Sequence, residues 1–160
     1  MDARKLPYVA EFDVVAAFDV IEHILEDELV LQNFHRAIKP GGGCLITVPQ
    51  HMWLWSPVDE EACHQRRYSA RELHDKVEAA GFRILRSTSF VTFLLPLMLA
   101  SRIAARRSGT SGGSEALQLN PLVDRILSGV MRAEHLLIKI GMSFPIGGSR
   151  LVILQRKDPA

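Results

Sequence analysis

Cysteine is scarce in this sequence, and neither sign of charge is in excess. The 160 residues include two cysteines, Cys44 and Cys63, which are too few for a disulfide scaffold and fit no zinc-ligand spacing. Lysine and arginine number 19 against 18 aspartates and glutamates, for a formal net charge of +1. Because proteins dedicated to nucleic acid usually carry a clear basic excess, we expect no nucleic-acid partner.

Long hydrophobic runs are also missing. The longest stretch without charged residues or histidine, Ser87 to Ser101, has 15 residues, whereas a membrane-spanning helix needs about 20. The first residues carry charges and show no secretory hydrophobic segment, which together with the few cysteines predicts a cytoplasmic protein. Since 48% of the residues are hydrophobic and 23% are charged, the chain can still bury a core, and its length suits one domain.

Short apolar segments alternate with helical patterns along the chain. The capping pattern Ser69-x-x-Glu72 and the pair Asn120-Pro121 predict two helix starts, and Gly81 predicts a helix end. The predicted order is a strand at 12–20, a helix at 26–38 stopped by Lys39–Gly43, a strand at 44–48, a long irregular loop at 50–68, a helix at 69–80, a strand at 82–93, a helix at 121–140 and a strand at 150–155. Such alternation is typical of an α/β sheet.

One ordered series of motifs carries a family resemblance. Phe18–His23 reads FDVIEH after a short strand, and Lys39–Gly43 reads KPGGG after a helix. The next strand ends in VPQ at 48–50, and 59–69 reads DEEACHQRRYS. In this order and spacing the series closely resembles the class I S-adenosylmethionine-dependent methyltransferases, in the branch often labelled type 11. The resemblance covers residues 2 to about 93 well and the last strand loosely.

The resemblance implies a Rossmann-like class I methyltransferase sheet, of which this chain carries the C-terminal half. Within the family order 3-2-1-4-5-7-6, its strands are then 4-5-7-6, with a helical insertion or cap at 94–142 before the last strand and a flexible linker at 108–119. The family's glycine-rich turn and ribose-binding acid are not found in 1–160. We therefore expect a partial methyltransferase domain that binds cofactor weakly alone; the alternative is a non-catalytic α/β module that binds a partner chain.

The resemblance further implies which residues contact S-adenosylmethionine as cofactor. They lie at the end of the first strand and at the position where the family binds adenine: Asp2, Ala3, Ala17, Phe18, Asp19 and His23. The expected partner is a methyl acceptor, either a small molecule or a lipid- or sugar-linked group. Catalysis would consist mainly of orienting that acceptor and excluding water.

Candidate bases for a hydroxyl or amine acceptor lie in the loop 50–68. The predicted catalytic residues are His51, Asp59 and His64, with Glu60 as a further candidate, and the residues predicted to hold the acceptor are Trp55, Arg67 and Tyr68. The alternative is structural. In that case Arg66 and Arg67 pair with the loop acids Asp59, Glu60 and Glu61 and brace the loop.

A second chemistry is open at Asp19-x-x-Glu22-His23. The stretch resembles the Glu-x-x-Glu-His pattern with which related O-methyltransferases, acting on ubiquinone precursors or RNA 3′ ends, hold a divalent metal. Asp replaces the first Glu here, and His51 or His64 would add a ligand. The alternative is that Glu22 and His23 only begin the helix and hydrogen-bond across the cleft. We predict no metal, with Asp19, Glu22 and His23 as the metal-binding alternative.

Two surfaces suggest contacts with other molecules. The helix at 121–140 has a cationic face and a broad apolar face, which fits packing on the sheet or a peripheral membrane contact. Glu134 lies near its apolar stripe and needs a partner there. The strand at 12–20 would form the open edge of a half-sheet, which predicts self-association, and lysine at Val15 or Ala17 should weaken it.

Overall fold

Four strands form one mixed sheet. A computed structural model of the protein describes residues 2–108 and 120–157, apart from the side chains of 104–108. The strands are β1 (Phe12–Phe18), β2 (Ile38–Pro49), β3 (Phe82–Phe90) and β4 (Ser149–Arg156). Their order is β1-β2-β4-β3, with β1 parallel to β2 and β4 antiparallel to both of its neighbours. This is the predicted order 4-5-7-6, so the fold class is confirmed.

The helices begin and end largely at the signals in the sequence. They are α1 (Asp27–Ala37), α2 (Pro57–Glu61), α3 (Ala70–Ala79), α4 (Leu95–Ser108) and α5 (Pro121–Lys139). The Ser69 side chain accepts a hydrogen bond from the Glu72 N–H at the start of α3, and the Asn120 side chain accepts one from the Leu122 N–H at the start of α5. After α3, Gly81 adopts φ +94°, which ends the helix at a position where a side chain would be strained.

The segment Lys39–Gly43 differs from the prediction because it continues as strand. Helix α1 ends at Ala37, one residue before the predicted end, and β2 begins at Ile38, which pairs with Phe12 of β1. The Lys39 ammonium lies 2.9 Å from the Asp13 carboxylate. At Gly42, an added Cβ would lie 2.7 Å from the Asp13 carbonyl oxygen, so glycine allows β2 to approach β1 there.

The loop 50–68 also differs, since it contains the short helix α2. Ser56 and Asp59 form a capping box around its first turn, and Pro57 occupies the first helical position. The prediction of a fully irregular loop was therefore wrong at this point. The signal Ser-Pro-x-Asp was present in the sequence, but the helix of five residues is too short to show an apolar periodicity.

The two faces of the sheet are covered differently. Helices α1 and α3 pack on one face, here called the covered face. Its fully buried residues come from alternate strand positions and from both helices: Cys44, Ile46, Val48, Val152, Leu154, Val30, Leu31, Leu73 and Val77. The opposite face, here called the open face, exposes Val14, Phe18 and Leu85 and has α5 alongside β3.

Helices α4 and α5 lie between β3 and β4, within the predicted insertion 94–142. Most of the predicted linker at 108–119 lies outside the described residues, and the division into domains stays a prediction. In α5, Met131 and Ile138 line a cavity against the sheet, while Leu122 and Ile126 are exposed, so the membrane contact also stays a prediction. None of the helices within 2–108 and 120–157 combines the length and apolar character needed to cross a membrane.

Candidate functional site

The end of β1 turns sharply toward β2. Asp19, the residue after β1, has φ +51°, a left-handed conformation that few residues other than glycine adopt. Its N–H donates to the Thr47 carbonyl oxygen and hydroxyl, each at 3.1 Å, and the Thr47 hydroxyl donates to the Asp19 carboxylate at 3.3 Å. These bonds to β2 hold the Asp19 side chain at the carboxyl ends of two parallel strands, where open α/β sheets bind ligands.

Asp59 is the centre of the polar network in the loop 50–68. Its carboxylate is 1% exposed and accepts from the Ser56 N–H, from Arg67 Nε at 2.7 Å and from His64 Nδ1 at 2.9 Å. Burial alone would raise the pKa of Asp59, but the hydrogen bonds from Arg67 and His64 hold this pKa below its ordinary value. The carboxylate is therefore ionised and fixed, and it orients the His64 ring.

His64 and Arg67 connect the hydrogen-bond network of Asp59 with the cavity at Asp19. Both side chains line a cavity of about 250 Å³ together with Asp19. The ring of His64 also lies against His23, with 4.8 Å between ring centroids in an edge-to-face arrangement. The loop 50–68 and the end of β1 therefore form one polar site, here called the Asp19–His64 site.

Glu22 lies behind this site and is fully buried. Neither of its carboxylate oxygens has a hydrogen-bond partner among the described residues, and the closest charge partner is His23 Nε2 at 3.8 Å. Burial raises the pKa of Glu22 to about 7. Ligand atoms of Glu22, His23 and His64 all lie within 4.8 Å of one another. The fold thus forms a potential metal cluster with His64 as its third member, in place of the predicted Asp19.

The other residues predicted to bind cofactor lie around this site on different sides. Asp2 and His23 line a second cavity of about 330 Å³. The Asp2 carboxylate is bound by Arg4 at 3.0 Å, and the hydrogen bonds from Arg4 lower the pKa of Asp2 to about 2. Ala3 accepts a hydrogen bond from the Asn33 amide through its carbonyl oxygen. Ala17 is buried in the covered face, whereas Phe18 projects from the open face.

Three residues predicted for catalysis or acceptor binding are not among the residues that line the cavity at Asp19. The Tyr68 side chain is fully buried, and its hydroxyl donates to Asp27 at 2.6 Å. Burial, followed by the hydrogen bond to Asp27, raises the pKa of Tyr68. His51 stacks on the Trp53 ring, and burial lowers the pKa of His51. The Trp55 indole N–H donates to Glu60 at 3.3 Å.

The contacts of Arg66 and Arg67 bear on the two alternatives predicted for the loop 50–68, which are acceptor binding and bracing of the loop. Arg67 pairs with Asp59 as the bracing alternative expected, although it also lines the cavity at Asp19. Arg66 instead pairs with Asp27, at 2.9 Å, and donates to the Leu25 carbonyl oxygen. The sequence prediction missed Asp27, which also binds Lys76 at 2.6 Å. An acid in the first turn of a helix is ordinary, so no local signal distinguished it.

The family model described as a methyltransferase domain matches residues 3–87, more than half of the chain. The chain belongs to this methyltransferase family. A protein of Mycolicibacterium smegmatis named a "probable S-adenosylmethionine-dependent methyltransferase" is 33% identical over 78 residues, which are 47% of this chain and 30% of that protein. This chain therefore spans less than a third of the length of this curated relative.

Solved structures share the fold of this chain. The [4+2]-cyclase SpnF superposes with a TM-score of 0.55 at 23% identity, over 99% of this chain and 55% of that one. The phosphoethanolamine N-methyltransferase 2 of Haemonchus contortus, solved in complex with S-adenosyl-L-methionine, superposes with a TM-score of 0.54 at 19% identity, over 98% of this chain and 36% of that one. These likenesses establish the fold.

Proposed function

We propose that the chain forms the acceptor side of an S-adenosylmethionine-dependent methyltransferase acting on a small-molecule or lipid- or sugar-linked acceptor. The observation that carries the proposal is the Asp59–His64 pair beside Asp19, because it places an oriented imidazole at the ligand-binding edge of the sheet. The name of the M. smegmatis relative and the ligand in the H. contortus structure support the cofactor. Both cysteines are free, which supports a cytoplasmic location.

Part of the proposed cofactor site is present in the described residues. The Asp19 carboxylate and His23 border the two cavities at the end of β1. The exposed ring of Phe18, which precedes Asp19 and lines the cavity under α5, offers an apolar face beside these polar groups. This fits one wall of a nucleoside site. The Asp2 carboxylate is already bound by Arg4, so Asp2 would contact the cofactor only while it also binds Arg4. S-adenosylmethionine, when bound, supplies the activated methyl group and the leaving group.

The chain's own residues would then prepare the acceptor. The ionised Asp59 accepts a hydrogen bond from His64 Nδ1–H, so the neutral imidazole has its lone pair on Nε2, which can take a proton from an acceptor hydroxyl or amine. Arg67 donates to Asp59 and to the Gln50 carbonyl oxygen, so it holds the carboxylate in place. The Met98 and Val91 side chains line the same cavity and would help to exclude water.

The test replaces His64 in the natural full-length protein that carries this chain. Methyl transfer is measured from methyl-labelled S-adenosylmethionine to the small-molecule and lipid fractions of a cell extract. We expect His64→Gln to reduce transfer by about 10²-fold or more, with cofactor affinity by calorimetry almost unchanged. Glu61→Gln, at an exposed position of the same loop that lines neither cavity, is the control. Equal losses of transfer and of cofactor affinity, or no loss, would contradict the role of His64.

The 160-residue chain alone provides a second test. We expect it to bind S-adenosylmethionine weakly or not at all, because the glycine-rich turn is not in the sequence and Arg4 already occupies Asp2. Isothermal titration calorimetry of the purified chain measures this directly. A micromolar dissociation constant would contradict the expectation and show that the residues at the end of β1 suffice.

A metal-assisted O-methyltransferase is the second candidate, favoured by the cluster of Glu22, His23 and His64. One carboxylate and two imidazoles suit Zn²⁺ or Mn²⁺, and a bound cation would compensate the buried Glu22 carboxylate. The two candidates differ at His64, which either accepts a proton or binds the metal. We expect Mn²⁺ to restore transfer to a chelator-treated full-length protein if the metal is used, and Glu22→Gln to prevent that restoration. Full transfer in the presence of chelator excludes this candidate.

A further inference from the structure

A cavity lies between the open face of the sheet and helix α5. Its volume is about 360 Å³, which is within the range of small-molecule sites. Most of its walls are apolar side chains from the ends of the strands and from the helix, among them Phe18, Leu45, Phe90, Met131, Ile138 and Leu151. The cavity is on the other side of the sheet from the covered core, and His64 is not among its lining residues.

Glu134 of α5 also lines this cavity, although its side chain is 1% exposed. One carboxylate oxygen, Oε2, accepts hydrogen bonds from the backbone N–H groups of Thr92 and Phe93, both at 2.8 Å. These bonds explain why an acid is tolerated there, because they satisfy the N–H groups of the turn before α4. The other oxygen, Oε1, is buried and has no hydrogen-bond partner among the described residues. A buried acceptor without a partner is costly.

The remaining polar groups of the cavity are already committed or lie at its rim. The Thr47 hydroxyl donates to Asp19, and the Thr88 hydroxyl donates to the Ser89 carbonyl oxygen while accepting from the Phe144 N–H. His135 lines the cavity from an exposed position. A water bound at Glu134 Oε1 would need two or more polar partners, which the apolar walls do not provide. The free acceptor therefore favours a ligand that brings its own donor.

We propose that this cavity binds a small apolar molecule carrying one amine, with the amine donating to Glu134 Oε1 and the apolar body lying against Phe18, Leu45 and Met131. The ammonium form pairs with a carboxylate, and its charge-assisted hydrogen bond is stronger than one between neutral groups. The apolar body gains from removal of water at a surface that the sheet and helix leave partly open. The cavity adjoins the Asp19–His64 site through the Thr47–Asp19 hydrogen bond, but Asp19, His64 and Arg67 are not among its lining residues, and the proposal does not depend on methyl transfer.

Three probes that share a phenyl ring on a four-carbon chain test the charge preference on the purified 160-residue chain. They are 4-phenylbutylamine, 4-phenylbutanol and 4-phenylbutyrate, and isothermal titration calorimetry measures their affinities in the absence of S-adenosylmethionine. We expect the amine to bind about tenfold or more tightly than the alcohol and the carboxylate not to bind detectably. Equal affinities, tighter binding of the carboxylate, or no binding of any probe overturns the proposal. Neither result bears on catalysis at the Asp19–His64 site.

Glu134→Gln tests the acceptor itself. The glutamine carbonyl oxygen keeps the bonds to Thr92 and Phe93, while its amide nitrogen replaces the free oxygen with a donor. We expect the amine to lose about tenfold or more in affinity and the alcohol to lose less, with the thermal melting temperature shifted only slightly. An unchanged amine affinity overturns the proposal.

A second pair of variants tests the cavity without altering Glu134. Ile138→Trp adds bulk at a lining position, whereas Leu136→Trp adds the same bulk at a position that is 61% exposed and outside the lining. We expect amine binding to be lost in Ile138→Trp and kept in Leu136→Trp. If both variants bind the amine like the parent chain, the probe lies elsewhere and the proposal fails.

Discussion

The two faces of the sheet are built from alternate residues of the same strands, yet they differ in what covers them. In β2, Cys44, Ile46 and Val48 point into the covered face and are fully buried, whereas Leu45 and Thr47 between them are only half-buried. In β4, Val152 and Leu154 are buried in the same way. Side chains alternate along a strand, so neighbouring residues belong to the same strand but lie on opposite faces of the sheet. A difference in burial between them therefore reflects what covers each face.

Because of this difference, we expect the covered face to contribute mainly to stability and the open face mainly to binding. The covered face is a dry interior that contributes through burial and packing, and its polar members, such as Tyr68 and Asp27, satisfy one another. The open face keeps apolar surface partly in water, contains the cavity at Glu134 and ends at β1, whose outer edge pairs with no strand among the described residues. Substitutions on the covered face should therefore change the free energy of unfolding, and those on the open face should change ligand binding and association.

The largest expected effect is at Ile46, compared with its neighbour Leu45. Both substitutions to alanine remove a similar number of carbons, but Ile46 is fully buried and Leu45 is not. We expect Ile46→Ala to reduce the free energy of unfolding by about 2–5 kcal/mol and Leu45→Ala by about 1.5 kcal/mol or less. Urea unfolding at low protein concentration, followed by tryptophan fluorescence, measures both. Equal losses would show that the open face is covered in solution.

The sequence was sufficient for much of the fold because its signals there are local. The apolar runs at β1 and β2, the capping serine at Ser69 and the stop at Gly81 are all properties of a few adjacent residues. The prediction from sequence was wrong where a long-range contact decides the structure. Lys39–Gly43 became strand because Gly42 allows close pairing with β1, which its own residues do not reveal.

The candidate site was less predictable for the same reason. Asp59 and His64 are five residues apart in one loop, and an acid and a histidine there suggested a shared catalytic role. That role remains a proposal. The partners that fix them are more distant: His23 reaches His64 only when the loop folds back over the end of β1. The Asp27–Tyr68 hydrogen bond joins residues 41 positions apart, and no local signal indicated that it would hold the Tyr68 hydroxyl in the protein interior.

The fold also leaves the reaction open, as the structural neighbours illustrate. One neighbour with the same fold is named a [4+2]-cyclase, and another is named an N-methyltransferase. A shared fold fixes where a ligand lies but not which bond is made. The assignment of methyl transfer to this chain therefore depends on the side chains at the Asp19–His64 site and on the proposed His64→Gln experiment.

The second largest expected effect concerns the exclusion of water from the buried Glu22 side chain. Burial raises the pKa of Glu22 from 4.5 to about 7, so the folded protein holds a proton that the unfolded chain releases above pH 4.5. The free energy of unfolding should then fall as the pH rises from 4.5 through 7. We expect Glu22→Gln to remove this fall, with a gain over the parent of about 1–3 kcal/mol at pH 8 and little at pH 4.5.

Urea unfolding between pH 4.5 and 8, with a chelator present, measures the effect at Glu22. Glu26→Gln is the control, because the Glu26 side chain is 54% exposed and no comparable pH dependence is expected from it. Water reaching Glu22 in solution would make both variants respond alike. In that case the burial of Glu22, and with it the case for a metal that compensates its charge, would be contradicted.

The smallest expected effect is on association through the edge of β1. Among the described residues β1 pairs only with β2, and its open-face residues Phe12, Val14 and Phe18 are exposed, so a second copy can pair with its free edge. The structure corrects the choice of substitution. Ala17 is 4% exposed in the covered face and Val15 packs against the core, so lysine there would disturb folding rather than pairing.

Val14→Lys is the appropriate variant, because the Val14 side chain is 56% exposed on the open face. We expect the parent chain to form dimers or larger species at tens of micromolar, and the variant to raise the dissociation constant about tenfold, since two lysines would approach across the paired edges. Val9→Lys adds the same charge before the strand and should leave association unchanged. Light scattering from 1 to about 100 μM measures this. A parent that stays monomeric throughout, or equal effects of the two lysines, would mean that the open edge of β1 does not pair. The exposed residues of the open face would then serve binding alone.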